Sequence, residues 1–125
     1  MTTDKKKKIL IIEDEERIAR IYKKNLTSAG FDTELVHNTE DAENLLDSFS
    51  ADLLLLDHGL AGNGESGIDA IPKLKKKVPE ATIIVFSNYS VFNLRDEALA
   101  AGADDYWLKL DFPLSSLVER VKSLV

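Results

Sequence analysis

The stretch Asp52-Leu53-Leu54-Leu55-Leu56-Asp57 places four consecutive leucines between two carboxylates. A continuous apolar run of this length is typical of a strand buried on both faces, as in a parallel sheet that helices cover on either side. Ile9 to Ile12 form a second such run, which leads into Glu13 and Asp14. The two runs predict central strands of one sheet, and both strands end in acidic side chains.

Outward from these runs, strand-length apolar segments alternate with segments of helical period. The predicted strands cover residues 8–13, 32–37, 52–57, 82–87 and 104–109, and the predicted helices cover 15–29, a segment from Thr39, 67–77, 91–101 and 113–125. Such alternation predicts an α/β fold with (βα)5 topology in a single domain over residues 1–125. Because crossovers between parallel strands are right-handed, we expect a doubly wound, flavodoxin-like parallel sheet with strand order 2-1-3-4-5.

Local signals predict where several helices begin. Thr39, followed by Glu40 and Asp41, is predicted to cap the second helix. Pro72 should kink the third helix or mark a late start, and Pro113 suits the first position of the fifth helix. The first helix is expected to bury a stripe made of Ile18, Ile21, Tyr22 and Leu26.

Composition excludes several classes of protein. The 125 residues include 16 basic and 22 acidic side chains, so the formal charge is −6, which argues against nucleic acid as a direct partner. The absence of cysteine excludes disulfide frameworks and thiolate metal sites. The longest apolar runs are far shorter than the ~20 residues of a membrane span, and the four lysines at 5–8 precede too short an apolar segment for a signal peptide. We therefore expect a cytoplasmic protein without membrane contact.

Three carboxylates are predicted to meet at the switch point of this topology. In a doubly wound sheet, ligands bind at the carboxyl ends of the strands beside that point, where Glu13, Asp14 and Asp57 lie. Like charges so close either raise one another's pKa or hold a cation, and Mg²⁺ favours hard oxygen ligands together with a phosphate. Taken singly, the first two acids could instead stabilise a helix N-terminus, and Asp57 could be a turn residue.

The next two predicted strands end in Ser87 and Lys109, which suit a phosphoryl group beside the acids. The ammonium group would neutralise one phosphoryl oxygen, and the hydroxyl would donate to another. Asp57 would then be the nucleophile and carry an aspartyl phosphate. Glu13, Asp14 and Asp57 together with Lys109 carry a net charge of −2, which one Mg²⁺ would neutralise.

The order and spacing of these residues resemble those of the receiver domain of two-component response regulators, over essentially the whole chain. The segments that carry the resemblance are Ile9 to Glu15, Asp52 to Asp57, Ser87, and Gly102-Ala103-Asp104-Asp105-Tyr106 with Lys109. The resemblance implies that Asp57 accepts a phosphoryl group from a histidine kinase or a phosphotransfer protein. It implies that Mg²⁺ is held by Glu13, Asp14, Asp57 and the backbone carbonyl of Gly59.

The resemblance also implies how the signal leaves the domain. Ser87 and Tyr106 match a switch pair, in which the hydroxyl moves toward the phosphoryl group and the ring turns inward. The fourth helix, fifth strand and fifth helix would contact a downstream protein or effector domain, and a homodimer could form there. Such a protein is not an enzyme beyond catalysing its own phosphorylation and dephosphorylation. Trp107 should lie on the opposite face of the strand from Tyr106, because side chains alternate.

Some features depart from the family pattern. Leu110 follows Lys109 where the family usually has a proline in a cis peptide, so we expect a trans or strained loop there. The segment 58–67 is slightly long and contains four of the six glycines, and Asn88 stands where the family commonly has a smaller residue. In the family, the positions of Gly59 and Tyr89 tune the lifetime of the phosphoryl group.

Two alternatives follow from these departures. One is a pseudo-receiver scaffold that binds protein partners without phosphorylation. The other is a nucleotide-binding module, suggested by the glycines at 62, 64 and 67, although these begin five residues after the strand instead of directly after it. His37 and His58 have no metal-ligand spacing.

Overall fold

The computed structural model describes residues 6–57, 67–87, 93–109 and 113–125. Its strands are β1 (Lys8–Ile12), β2 (Asp32–Val36), β3 (Leu53–Leu56), β4 (Thr82–Ser87) and β5 (Asp105–Leu108), and its helices are α1 (Glu16–Ser28), α2 (Thr39–Leu45), α3 (Gly67–Lys77), α4 (Leu94–Ala101) and α5 (Leu114–Leu124). All strand pairs are parallel, and the order is β2-β1-β3-β4-β5. The predicted doubly wound α/β fold is confirmed.

Each face of the sheet is covered by its own apolar core. Tyr106 packs in the core that includes residues of α2, α3 and α4, whereas Trp107 packs in the core that includes residues of α1 and α5. The predicted separation of these two rings is therefore confirmed. The leucines of β3 divide between the two cores in the same way, which explains why this strand is apolar at every position.

The strand register determines which predicted site residues lie side by side at the carboxyl edge of the sheet. Ile12 of β1 lies opposite Leu56 of β3, so Glu13 and Asp57 leave the sheet side by side. Leu56 in turn pairs with Val85 of β4, which places Ser87 at the same edge.

Two predicted helix starts are wrong by one residue. Asn38, not Thr39, caps α2, and its side chain accepts a hydrogen bond from the backbone N–H of Asp41 at 2.7 Å. Asn38 is in the extended conformation that a capping residue needs, while Thr39 is already helical and buried. Pro113 precedes the first helical residue of α5, and its ψ of 157° is extended.

Three other expectations concern helix interiors and bounds. Pro72 lies inside α3, so it does not mark a late start; it removes one hydrogen bond, the one that would run back to the carbonyl of Ile68. Ile21 is 41% exposed, because the turn of about 100° per residue puts it to one side of the stripe that buries Ala19 and Leu26. The described part of α4 begins at Leu94, and residues 91–92 lie outside the described residues.

Within the described ranges, the helices are all too short or too polar to cross a lipid bilayer.

Candidate functional site

Three acidic side chains meet at the carboxyl ends of β1 and β3. Carboxylate oxygens of Glu13, Asp14 and Asp57 all lie within 4.8 Å of one another. Glu13 and Asp57 are buried, with 3% and 8% of their surface exposed, whereas Asp14 faces solvent. Backbone hydrogen bonds fix Glu13 and Asp57, because the N–H of Glu13 donates to the carbonyl of Val36 at 3.0 Å and the N–H of Asp57 donates to the carbonyl of Ile12 at 2.9 Å. The topological prediction that these acids converge is confirmed.

Lys109 adds a positive charge to this cluster from the edge strand β5. It follows β5, and its side chain crosses β4 to reach the acids. The Nζ atom donates a hydrogen bond to Oε1 of Glu13 and lies 3.6 Å from Oδ1 of Asp57. With 8% of its side chain exposed, the ammonium group is held in a largely desolvated position. Its attraction to both carboxylates is therefore only weakly screened by water.

Burial and neighbouring charges shift the pKa values of this pair. Burial raises the pKa of Glu13 to about 7; the hydrogen bond from Lys109 lowers it and the charge of Asp57 raises it. Burial lowers the pKa of Lys109, but the hydrogen bond to Glu13 and the charge of Asp57 outweigh burial and leave it above its ordinary value. The site thus combines a firmly protonated lysine with an excess of carboxylates, and a divalent cation would relieve that excess.

Ser87 and Tyr106 lie on neighbouring strands next to this cluster. Val85 pairs with Tyr106, and Ser87 pairs with Leu108, so alternation puts Ser87 and Tyr106 on the same face of the sheet. Ser87 is fully buried, and Tyr106 is 8% exposed within the core. Ser87 thus lies on the strand next to β3, two residues beyond the Leu56–Val85 pair and one residue past the level of Asp57.

Several predictions fall on residues outside the described ranges. These are the carbonyl ligand at Gly59, the glycine-rich segment 59–66 with His58, the effects of Asn88 and Tyr89, and the peptide bond between Lys109 and Leu110. They stay predictions. His37, in contrast, is described, and its Nδ1 lies 3.1 Å from the carbonyl oxygen of Glu13, to which an N–H there would donate.

Two aromatic neighbours of the site were not identified from the sequence. Phe86 lies under the ammonium group of Lys109, with Nζ 5.9 Å from the ring centroid. Tyr22 of α1 packs against Phe86 in a tilted arrangement, with 5.4 Å between ring centroids and an interplanar angle of 51°. The sequence does contain a signal for Phe86, because strand alternation turns it to the face opposite Ser87. A contact with Lys109 depends on the reach of a side chain across β4, which no local pattern encodes.

The donor set fits a hard divalent cation. Three carboxylates within 4.8 Å, one of them open to solvent, can supply oxygen ligands and leave positions for water or a phosphate oxygen. The arrangement can therefore support attack by a carboxylate on phosphorus, with a lysine and a hydroxyl placed to neutralise the phosphoryl oxygens.

Comparison with known proteins identifies the family. The profile of the response regulator receiver domain matches residues 9–122. The chain belongs to this family. The match runs from Ile9 in β1 to Lys122 in α5, so it covers nearly all of the described fold.

Relatives and solved structures agree with this assignment. The receiver domain is 35% identical over 94% of its length to the phosphate regulon transcriptional regulatory protein PhoB of Rhizobium meliloti, covering 52% of that protein. It is 25% identical to a CheY-like response regulator receiver domain from Methanospirillum hungatei, with a TM-score of 0.86 over 95% of this chain and 93% of that one. The chain spans about half the length of that curated relative.

A further structure bears on the site chemistry. A response regulator from Burkholderia pseudomallei, 25% identical with a TM-score of 0.81 over 94% of this chain and 71% of that one, carries a phosphorylated aspartic acid, a calcium ion and citrate. The present chain is a receiver domain of response regulators, a phosphoacceptor module in two-component signalling. Receiver domains are signalling domains and generally not enzymes. In the present chain, the carboxylates of Glu13, Asp14 and Asp57 are close enough together to hold a metal ion.

Proposed function

We propose that Asp57 accepts a phosphoryl group from the phosphohistidine of a sensor histidine kinase or a phosphotransfer protein. The observation that carries the assignment is the juxtaposition of Asp57 with Lys109, Glu13 and Asp14 at one edge of the sheet. Among these acids, Asp57 ends the central strand β3, which lies between β1, the strand that Glu13 follows, and the strands β4 and β5 on the side of Lys109. It is therefore the carboxylate best placed to receive a group that the others stabilise.

The transfer follows from the positions of these side chains. A carboxylate oxygen of Asp57 forms a bond to phosphorus as the bond between phosphorus and the donor nitrogen breaks, and that nitrogen keeps the electron pair. Lys109, 3.6 Å from Asp57, neutralises charge on a phosphoryl oxygen, and Ser87 donates to another. In dephosphorylation, the oxygen of a water molecule forms a bond to phosphorus as the bond between phosphorus and the Asp57 oxygen breaks, which releases inorganic phosphate and restores the carboxylate. The domain thus catalyses only its own phosphorylation and dephosphorylation.

Mg²⁺ is the cation we propose for the acidic pocket. Glu13, Asp14 and Asp57 would hold it together with the backbone carbonyl of Gly59, and when bound it neutralises charge on the phosphoryl oxygens. The exposed position of Asp14 gives the ion a path from solvent.

Ser87 and Tyr106 are proposed as the switch pair, whose movement on phosphorylation changes the conformation of the surface formed by α4, β5 and α5. Both lie on the face that α3 and α4 cover, so a shift of the hydroxyl toward Asp57 alters packing next to the ring. The output surface would be α4, β5 and α5, where a downstream protein, an effector domain or a second copy would bind. With a kinase as the donor, we place the domain in the cytoplasm.

The scaffold alternative is not favoured, because the charges needed for phosphoryl transfer are assembled and largely buried. A nucleotide-binding module receives no support from a family that matches nearly the whole chain.

Incubation with acetyl phosphate and Mg²⁺ tests the proposed function. Intact-protein mass spectrometry should show one added phosphoryl group on the wild type and none on Asp57→Asn, because an amide is not a nucleophile for this transfer. Asp52→Asn is the matched control, since Asp52 begins the same apolar run at the opposite end of β3. It should be phosphorylated like the wild type. An unmodified wild type, or a modified Asp57→Asn variant, would contradict the proposal.

A further inference from the structure

We propose that Phe86 is a positioning residue for phosphoryl transfer, whose ring face holds the ammonium group of Lys109 on the side of the site where Asp57 lies. The inference rests on the proposed role of Lys109, and it adds an aromatic residue to the groups that determine how fast Asp57 is phosphorylated.

The first step is the path of the lysine. Lys109 leaves β5, whereas its carboxylate partners leave β3 and β1, so the side chain spans β4 to reach them. Phe86 is the penultimate residue of β4 and therefore lies directly on this path. Nζ lies 5.9 Å from its ring centroid, within the range in which a cation is attracted by the negative face of a ring.

The second step is the direction of the attraction. The ammonium group forms its short contact with Glu13 on β1, and Asp57 on β3 is farther away, at 3.6 Å. Glu13 alone would draw the cation past Asp57. Phe86 follows the Leu56–Val85 pair and so stands beside Asp57 on the neighbouring strand. Attraction to its ring opposes the pull toward Glu13 and keeps the cation within reach of the group that Asp57 would carry.

The third step is the rigidity of the ring. Phe86 is 3% exposed, and it packs between Tyr22 at 5.4 Å and Trp107 at 6.4 Å between ring centroids. The Phe86–Trp107 contact is edge-to-face, with an interplanar angle of 89°. A ring fixed on two sides presents a defined surface to the cation. The residue after Lys109 is leucine, so the chain has no proline at that position to restrict the backbone that carries the lysine.

Phe86→Leu tests the inference, with Phe86→Met as a second variant that lacks a ring but has a longer and more flexible side chain. With saturating Mg²⁺ and limiting acetyl phosphate, both should be phosphorylated roughly three- to tenfold more slowly than the wild type, in line with a partly desolvated cation–π contact. Phe86→Tyr keeps the ring and should retain the wild-type rate. Phe49→Leu is the matched control, because Phe49 is also buried and lies 5.6 Å from the Nζ of another lysine, Lys8, at the opposite end of the sheet.

A spectroscopic measurement separates positioning from general destabilisation. The ε-CH₂ protons of Lys109 should carry a ring-current shift in the wild type and in Phe86→Tyr, and should move toward the values of a solvated lysine in Phe86→Leu. Phe49→Leu should leave these protons unchanged, whatever it does to the unfolding midpoint.

The outcomes separate this inference from the proposed function. If Lys109→Met is slow but both non-aromatic variants react at the wild-type rate, the role of Phe86 is wrong and that of Lys109 stands. If Lys109→Met reacts like the wild type, both roles are wrong. If both hold, Phe86→Leu should have no further effect when it is combined with Lys109→Met, because the ring acts through the lysine.

Discussion

At the carboxyl end of the sheet, Lys109 and its partners Glu13 and Asp57 are almost entirely withdrawn from water. At the amino end, similar residue types line an open cleft of about 430 Å³, formed by Lys6, Lys7, Lys8, Asp32, Ser50 and Asp52. There Asp52 accepts a hydrogen bond from the backbone N–H of Lys8 at 2.8 Å, which fastens the starts of β1 and β3 together. The same residue types thus support the fold at the amino end and form the candidate site at the carboxyl end.

The difference between the two ends lies in solvation. A cation near exposed acids is screened, and such a pair contributes little to stability or reactivity. Burial at the carboxyl end weakens this screening, raises the pKa of Glu13 and leaves an excess of negative charge. A lysine next to carboxylates is therefore not sufficient evidence of a functional site. Burial matters as well, because buried charges interact more strongly with a cation or a phosphoryl group.

The largest expected effect is the difference in phosphorylation rate between a variant without Lys109 and a variant without Lys8, the lysine at the amino end. Lys109→Met should slow phosphorylation by acetyl phosphate by about 10²- to 10³-fold, the usual loss when one preorganised donor to a developing anion is removed. Lys8→Met should leave the rate unchanged, although Lys8 also lies over an aromatic ring. Single-turnover rates from intact-protein mass spectra measure both. Equal rates for the two variants would show that burial does not distinguish Lys109 from Lys8.

A second prediction concerns the cation. Mg²⁺ at a hundredfold excess over its Kd should stabilise the wild type by about 2.7 kcal/mol, because only the folded state assembles the three carboxylates. Asp14→Asn should lose most of that gain. Asp32→Asn, in the amino-end cleft, should retain it.

Thermal unfolding with and without Mg²⁺, with a chelator as the reference, measures these differences. Stabilisation by Mg²⁺ that survives Asp14→Asn but not Asp32→Asn would place the cation at the wrong end of the sheet.

The smallest effect is a pH dependence at Asp105, the first residue of β5. Burial raises the pKa of this carboxyl, but hydrogen bonds from the backbone N–H of Tyr106 and from Nε1 of Trp107, with the charge of Arg95, outweigh burial and lower it below 3.8. A lowered pKa in the folded state contributes stability above pH 3.8, and that contribution is lost as the pH falls through the folded value. At Glu13, burial outweighs hydrogen bonding and raises the pKa, whereas at Asp105 hydrogen bonding and the charge of Arg95 outweigh burial and lower the pKa.

Asp105→Asn should therefore destabilise the protein at neutral pH by less than about 1 kcal/mol, since the side chain is 32% exposed. The difference from the wild type should shrink as the pH falls below 3.8. Urea unfolding over a pH series measures it. A difference that stays constant with pH would mean that the ionised carboxylate is not the stabilising form.

The sequence predicted most of the fold because its signals are local. The leucines of β3 and the isoleucines of β1 indicate strands buried on both faces, and the alternation of elements leaves few topologies. The errors are local as well. Asn38 and Thr39 are both good capping residues, and the backbone alone decides which one takes the extended conformation. Ile21 looks like a core residue by type, yet its exposure depends on which side of α1 faces the sheet.

For the site, the sequence by itself determined the chemistry: acids that end the first and third strands, a hydroxyl that ends the fourth and a lysine that ends the fifth. Strand ends are predictable because apolar runs stop where the sheet stops. Only the tertiary structure decided that Lys109 crosses β4 to contact Glu13 more closely than Asp57, and that Phe86 lies beneath it. These contacts join residues from different strands, and their distances depend on sheet register, side-chain reach and burial, which no single segment encodes.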